Sequence, residues 1–347
     1  MKAPTPEFQL AFLTKIQRLF AEGDFTATYK FALLVSIADY AVQYGEDNNK
    51  ELKIPTRSIG AKFIELYWQQ SAPYKDGVLV QNLGAQAAVV AKVAAFRNSG
   101  QSLTQALQSR QLVTAVTATV VTQPIKYMQN LGGSNDAFLY VKGEGFISLL
   151  PGVAYCLRRF QPLIQQLSRA HWIDHIKTNK QNQSWVKKDS DLESFLFKTS
   201  RPSLEIVQAG LRKISNRCFY CNGLVSNADV DHFIPRTLYP RDLAHNFVLT
   251  DPKCNRSKSD TLAAKQHLFK WLEFIHANSD NLNQIGFEAG ILADADSSNS
   301  VAKWGYNNAN AGGAKAWIKA AQYEPVDDSY LLLWSYKKLN TYLNTLV

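Results

Sequence analysis

Residues able to do metal and hydrolytic chemistry crowd into one stretch. It reads Cys218-Phe-Tyr-Cys221, then Asp229-Val-Asp231-His232-Phe-Ile-Pro235-Arg236, then His245-Asn246-Phe-Val-Leu249, then Cys254-Asn255-Arg256-Ser257-Lys258-Ser259-Asp260. Thirteen residues separate His232 from Asn246, and eight separate Asn246 from Asn255. Hydrolysis of a phosphodiester needs a nucleophilic water, a cation to take up charge on the phosphate, and fixed groups to align them. His232 offers a base whose ordinary pKa lies near neutrality. Asp231 is a hard anionic ligand and Asn255 a hard neutral one, a set suited to Mg²⁺ or Mn²⁺. Three of the four cysteines, Cys218, Cys221 and Cys254, lie in the same stretch. In a reducing compartment that clustering indicates metal binding. Cys156 stands apart and is expected to be a small buried apolar residue.

This constellation resembles the HNH endonuclease family, whose fold is a ββα-metal unit, and its wording is close to the HNH module of CRISPR effector nucleases. The resemblance covers roughly residues 218 to 260. It implies that Asp231 and His232 lie on a first strand, that Asn246 begins a second, and that Asn255 sits on a helix crossing both. Adjacent strand residues point to opposite faces, so Asp231 and His232 can serve one phosphate only if the strand twists or ends there. Asn246 would orient the site, either through its amide or by bridging the strands. Arg256 and Lys258 on the crossing helix, and with them Arg236 and Arg241, are expected to meet backbone phosphates.

Zinc-stapled HNH proteins close the unit with two Cys-x-x-Cys pairs. Here the second pair is incomplete, because Asp251 stands three residues before Cys254. Asp251 is therefore the expected fourth ligand of a structural Zn²⁺ held by Cys218, Cys221 and Cys254, with His245 as the second candidate. The competing reading is a zinc-stabilised nucleic-acid-binding module without catalysis. The coexistence of Asp231, His232 and Asn255 at nuclease spacing favours the enzyme. One base and one cation cut one strand at a time, so the expected product is a nick.

The elements that must position this site follow from periodicity. Apolar residues recur at helical intervals at Phe12, Ile16, Leu19 and Phe20, and again at Phe31, Leu34, Ile37 and Ala38. Further helices are expected from about Thr56 and over 85–96, with a strand or hairpin around Tyr140 to Leu150. The polar segment 176–191, carrying Lys177, Lys180, Lys187 and Lys188, reads as a linker. Ser200 and Pro202 open a helix leading to Cys218, and Leu268, Trp271, Leu272 and Ile275 line one face of another. A last helix is expected near Tyr330 to Leu346.

The fold class is thus mainly α with a small α+β unit. A helical specificity or regulatory domain (1–195) precedes a ββα-metal HNH nuclease domain (196–283) and a helical C-terminal extension (284–347). The helical N-terminal part, with its Tyr29-Lys30-Phe31-Ala32-Leu33-Leu34 segment, is similar to extensions on stand-alone HNH proteins of bacterial anti-phage defence loci. That similarity implies other defence components as partners. A formal net charge of +9 over 347 residues favours a polyanionic partner, here DNA. The longest uncharged stretches fall short of the roughly 20 apolar residues that span a bilayer. No secretory signal is legible, because Thr5-Pro6-Glu7 reads as a helix start, so a cytoplasmic protein without a membrane partner is expected.

Overall fold

Tyr29–Tyr44 is a helix in which fourteen of sixteen residues are buried, because its apolar run leaves no polar face wide enough to meet water. In the computed structural model, which describes residues 3–75, 77–186 and 191–334, it is the axis of the first of two compact units, Met1–Lys198 and Thr199–Val347. Helices Thr56–Gln70, Val153–Arg159 and Gln161–Thr178 pack around it. The N-terminal helix Pro6–Glu22 starts as its sequence indicates, with the Thr5 hydroxyl accepting from the Phe8 N–H and Pro6 in the first turn. The chain is mainly helical, and its sheets are small and antiparallel. No described helix is long and apolar enough to cross a membrane.

The hairpin expected near Tyr140 forms from Tyr140–Lys142 and Phe146–Leu149, with Tyr140 opposite Leu149. A strand not expected from the sequence, Leu52–Pro55, extends it on the other side. Four residues ending in proline carry too short a pattern to be read as a strand.

Segment 176–191 departs from the expected linker. Its first residues finish the helix Gln161–Thr178, and a turn of 3₁₀ helix, Lys180–Asn182, and a helical turn, Gln183–Val186, follow. Buried Asn182 accepts from the Val80 N–H at 2.8 Å and donates to the carbonyls of Val80 at 2.8 Å and Ile176 at 3.0 Å. A polar composition can thus be buried when its amides replace water as partners. Lys187 and Lys188 lie outside the described residues.

The second unit opens with helix Arg201–Ile214, capped by Ser200, whose side chain accepts from the Ser203 N–H. Strands Asp229–His232 and Phe247–Thr250 pair antiparallel, and helix Pro252–Lys258 follows at once. Helix Lys265–Ala277 buries Leu268, Trp271, Leu272 and Ile275 as their spacing predicts. Beyond 284 the chain does not make a purely helical extension. Helix Ala295–Ala311 leads into an antiparallel hairpin, Lys315–Lys319 with Gln322–Pro325. Trp317 pairs through its backbone with Leu262 and Ala264, both at 2.7 Å, and its indole donates to Ser257 on the short helix at 3.0 Å. The hairpin belongs to the same compact unit as the short helix it holds. Residues 328–334 are helical; the rest of the expected final helix lies outside the described residues.

Helices Arg201–Ile214 and Ser279–Ala289 approach closely at Gly210, where a Cβ would lie 2.4 Å from Ile285 Cγ1. Gly210→Ala is expected to lower stability by about 1–2 kcal/mol, overpacking outweighing the helix-propensity gain. Thermal unfolding checks this, and an unchanged or raised Tm contradicts the close approach.

Candidate active site and cysteine cluster

The strand-to-helix junction is made by Asp251. Its carboxylate accepts from the Lys253 N–H at 2.7 Å and caps the helix, with Pro252 in the first turn. The cap lets the helix begin one residue after the second strand and carry Asn255 back over the first. Asn255 Nδ2 donates to Asp229 Oδ2 at 3.1 Å, so the acid beside Asn255 is Asp229, a residue the sequence reading did not single out. Asp229 and Asp231 share one face of their strand, and that alternation was the available signal.

Asp231 is buried, and its Oδ2 accepts from the Tyr220 hydroxyl at 2.6 Å and lies 3.1 Å from Lys258 Nζ. The same ammonium donates to the His232 carbonyl at 2.9 Å. Lys258 is fully buried; burial lowers its pKa while Asp231 opposes the shift. It neutralises a buried carboxylate and does not face solvent, which corrects its expected contact with phosphates. The reason is electrostatic: an unpaired carboxylate at this depth is costly.

His232 turns to different partners. Its Nε2 lies 2.7 Å from Asp242 Oδ1, and its ring packs against Phe247 with centroids 4.7 Å apart. Thus Asp231 and His232, adjacent in sequence, take separate side-chain partners, as strand alternation demands. Asp242 also accepts from Arg236 through both oxygens at 2.8 Å, from the Thr199 N–H at 3.1 Å, and from the Thr199 hydroxyl. Burial works against its charge, but His232, Arg236 and Thr199 together hold the Asp242 carboxyl well below the usual carboxylate range. A carboxylate kept ionised can only accept, so Nε2 carries a proton toward Asp242, and Nδ1 is the ring nitrogen turned away from it. Arg236, expected at phosphates, is engaged by this carboxylate instead. Arg256 remains exposed on the helix surface, and Arg241 is half-buried.

Asn246 lies in a 3₁₀ turn, Ala244–Asn246, just ahead of the second strand. Its side chain makes a two-point clasp on Ile234, accepting from the N–H at 2.8 Å and donating to the carbonyl at 2.9 Å. Its own carbonyl accepts from the Phe233 N–H at 2.8 Å. Of the two roles left open by the sequence, the amide holds the chain that leaves His232, and it does not touch the imidazole.

Beside this hairpin the thiols of Cys218, Cys221 and Cys254 converge within 4.8 Å of one another. A tight turn with Asn222 at φ 60° presents the first two, and the Phe219 N–H donates to Leu249 on the second strand at 2.8 Å. Burial and the neighbouring cysteines push the Cys254 thiol up to about 12. Cys221 falls below the ordinary thiol range: burial opposes its ionisation, but the Gly223 N–H and the adjacent thiols favour it. Without a cation the three cannot all ionise, so this donor set could hold a metal such as zinc. Neither expected fourth ligand joins the group. Asp251 caps the helix through one oxygen and lies outside the converged group. His245 is fully buried with no partner for either ring nitrogen among the described residues, and it lies outside the cysteine group. Cys156 is buried, and burial raises its thiol to about 12.

The family described as Domain of unknown function (DUF8808) matches residues 9–196, and the chain belongs to this family. The match ends before the residues of the candidate site. No curated protein and no solved structure matches the chain.

Two outcomes follow. Cys218→Ser is expected to lose bound zinc and melt several degrees lower, whereas Cys156→Ser retains its metal; zinc content and Tm unchanged in Cys218→Ser would rule out the staple. For Asp242 the folded pKa is depressed, so its stabilisation is full above the unfolded value of about 4 and fades as pH falls below it. Asp242→Asn should therefore cost about 2–3 kcal/mol at neutral pH and flatten the acid limb of a Tm-versus-pH profile. An acid limb as steep as the wild type's contradicts the assignment.

Proposed function

We propose that the second unit is a metal-dependent endonuclease of the HNH type that hydrolyses DNA phosphodiester bonds one strand at a time. The observation that carries this reading is the pair His232 and Asp242. A partly exposed imidazole is oriented by a buried, ionised carboxylate, at the end of a strand crossed by the helix that bears Asn255. In that pair Asp242 fixes the tautomer, and His232 Nδ1 takes a proton from water attacking phosphorus. Asn246 keeps the loop after His232 in place, so the ring does not swing out of line.

Asp229, Asp231 and Asn255 are the oxygen donors that would hold a Mg²⁺ keeping most of its waters, with Asp231 giving up its pairing to the Lys258 ammonium to join them. Such an ion supplies charge neutralisation at the phosphate and its leaving oxygen. Lys258 brings a positive charge to the same carboxylate face. Arg256 is the exposed cation that would contact the backbone of a bound strand. A zinc at the three cysteines would pin the turn before the first strand to the start of the crossing helix. The first unit would then select the target or control activity, in keeping with a role in anti-phage defence alongside other components.

The second reading is a zinc-stabilised nucleic-acid-binding module without catalysis. It is favoured by one observation: the Lys258 ammonium already occupies a cation position on Asp231.

Supercoiled plasmid incubated with the protein and Mg²⁺, Mn²⁺ or EDTA separates the two. The nuclease reading expects nicked circles to accumulate before linear DNA, and only with a divalent ion. Plasmid that is shifted on a gel but never cut, with any of these ions, supports the binding module. Direct conversion to linear DNA by dilute protein contradicts a single site cutting one strand.

A further inference from the structure

The first unit carries an open cavity of about 750 Å³, within the size range of small-molecule sites. It lies wholly inside the segment that defines the family, and nothing in the hairpin–helix chemistry uses it. Its wall includes Lys30, 6% exposed, whose Nζ has no hydrogen-bond partner among the described residues. The Phe25 ring lies 5.4 Å away, and the charge of Asp24, also in the wall, favours the ammonium. An ammonium withdrawn from water to that degree is costly unless an anion meets it.

Two helices begin at this cavity, and one of them, Tyr29–Tyr44, starts without a side-chain cap. For Tyr29–Tyr44 the natural cap would be Thr28. Its hydroxyl is instead bound to the Tyr67 hydroxyl at 2.7 Å and to Gln81 Oε1 at 2.9 Å, and it makes no capping bond. For Ala88–Asn98 the cap position is Ala87, which has no acceptor. The Tyr29 hydroxyl takes the Val89 N–H at 2.9 Å, so the open first turn at the cavity is that of Tyr29–Tyr44. Helix N-termini with open N–H groups favour anions, and phosphate above all. The remaining wall offers amides and hydroxyls, among them Asn82, Gln86, Thr122, Gln123 and Asn130, which suit a polar body larger than the anion itself.

We propose that this cavity binds a small phosphorylated ligand, with its phosphate held by Lys30 and the uncapped N-terminus of helix Tyr29–Tyr44. The phosphate is the recognised group, so inorganic phosphate alone should bind, and a mononucleotide-sized body should bind more tightly. This inference concerns the first unit only and does not depend on the nuclease reading.

The test uses the full chain, with calorimetry and thermal shift against inorganic phosphate, adenosine monophosphate and adenosine, for the wild type and Lys30→Met. The expected result is one competing site for phosphate and the monophosphate, with adenosine at least about tenfold weaker than the monophosphate. Lys30→Met should abolish that difference while melting no lower than the wild type, since it removes an unpartnered buried charge. The proposal is overturned if neither phosphate nor the monophosphate binds at about 10 mM, a concentration at which even weak specific sites fill. It is equally overturned if both bind Lys30→Met undiminished. Should Lys30→Met fail to fold, the wild-type comparison still decides, because adenosine binding as tightly as its monophosphate contradicts phosphate recognition.

Discussion

Asp242 is the acceptor on which the proposed catalytic geometry depends. One buried carboxylate satisfies an imidazole, a guanidinium, a backbone N–H and a hydroxyl at once. Such a group is stable only as an anion, and only while those donors stay in place. That restriction sets the tautomer of His232, draws Arg236 inward, and ties the start of the second unit at Thr199 to the loop that carries Asp242. The proposed base is therefore positioned from behind by Asp242, Arg236 and Thr199, a common arrangement for a histidine that must be oriented while it exchanges a proton.

The strand ends at His232, and the carboxylates behind it meet a different electrostatic problem. Asp231 is balanced by Lys258 and Tyr220, and Asp229 is held by Asn255. Two carboxylates there meet one buried ammonium, and a hard divalent ion would balance the remaining charge. The thiol cluster repeats the pattern with softer donors: three groups that cannot all ionise together unless a cation joins them. Both groups thus place the crossing helix and the strand in fixed register. The C-terminal hairpin adds a mechanical hold through Trp317 and Ser257.

Much of this was legible in the sequence where a residue's role is set by its own spacing. The cysteines converge as their clustering indicates, the strand–strand–helix order follows the order of the motifs, and Leu268, Trp271, Leu272 and Ile275 are buried together. What could not be read depends on partners distant in sequence. Asp242 sits in a loop between Arg236 and Asn246 with no periodicity to mark it. Lys258 looks like a solvated charge until Asp231 is seen beneath it. Asp251 resembles a ligand by position but is consumed by the helix end it starts. Asn182 and its neighbours look like linker because composition does not record which carbonyls an amide will meet. Strand Leu52–Pro55 and the hairpin Lys315–Pro325 are short and depend on pairing with other segments.

The central claim is that His232, held by Asp242, is the base of a phosphodiester hydrolysis. The most direct measurement is the single-turnover cleavage rate of wild type, His232→Ala and Asp242→Asn on one DNA substrate, at protein concentrations that saturate binding for each. The account predicts equal DNA affinity, a rate reduced by about 10²–10⁴-fold in His232→Ala, and a smaller loss in Asp242→Asn. Cleavage by His232→Ala at the wild-type rate, with binding intact, contradicts it.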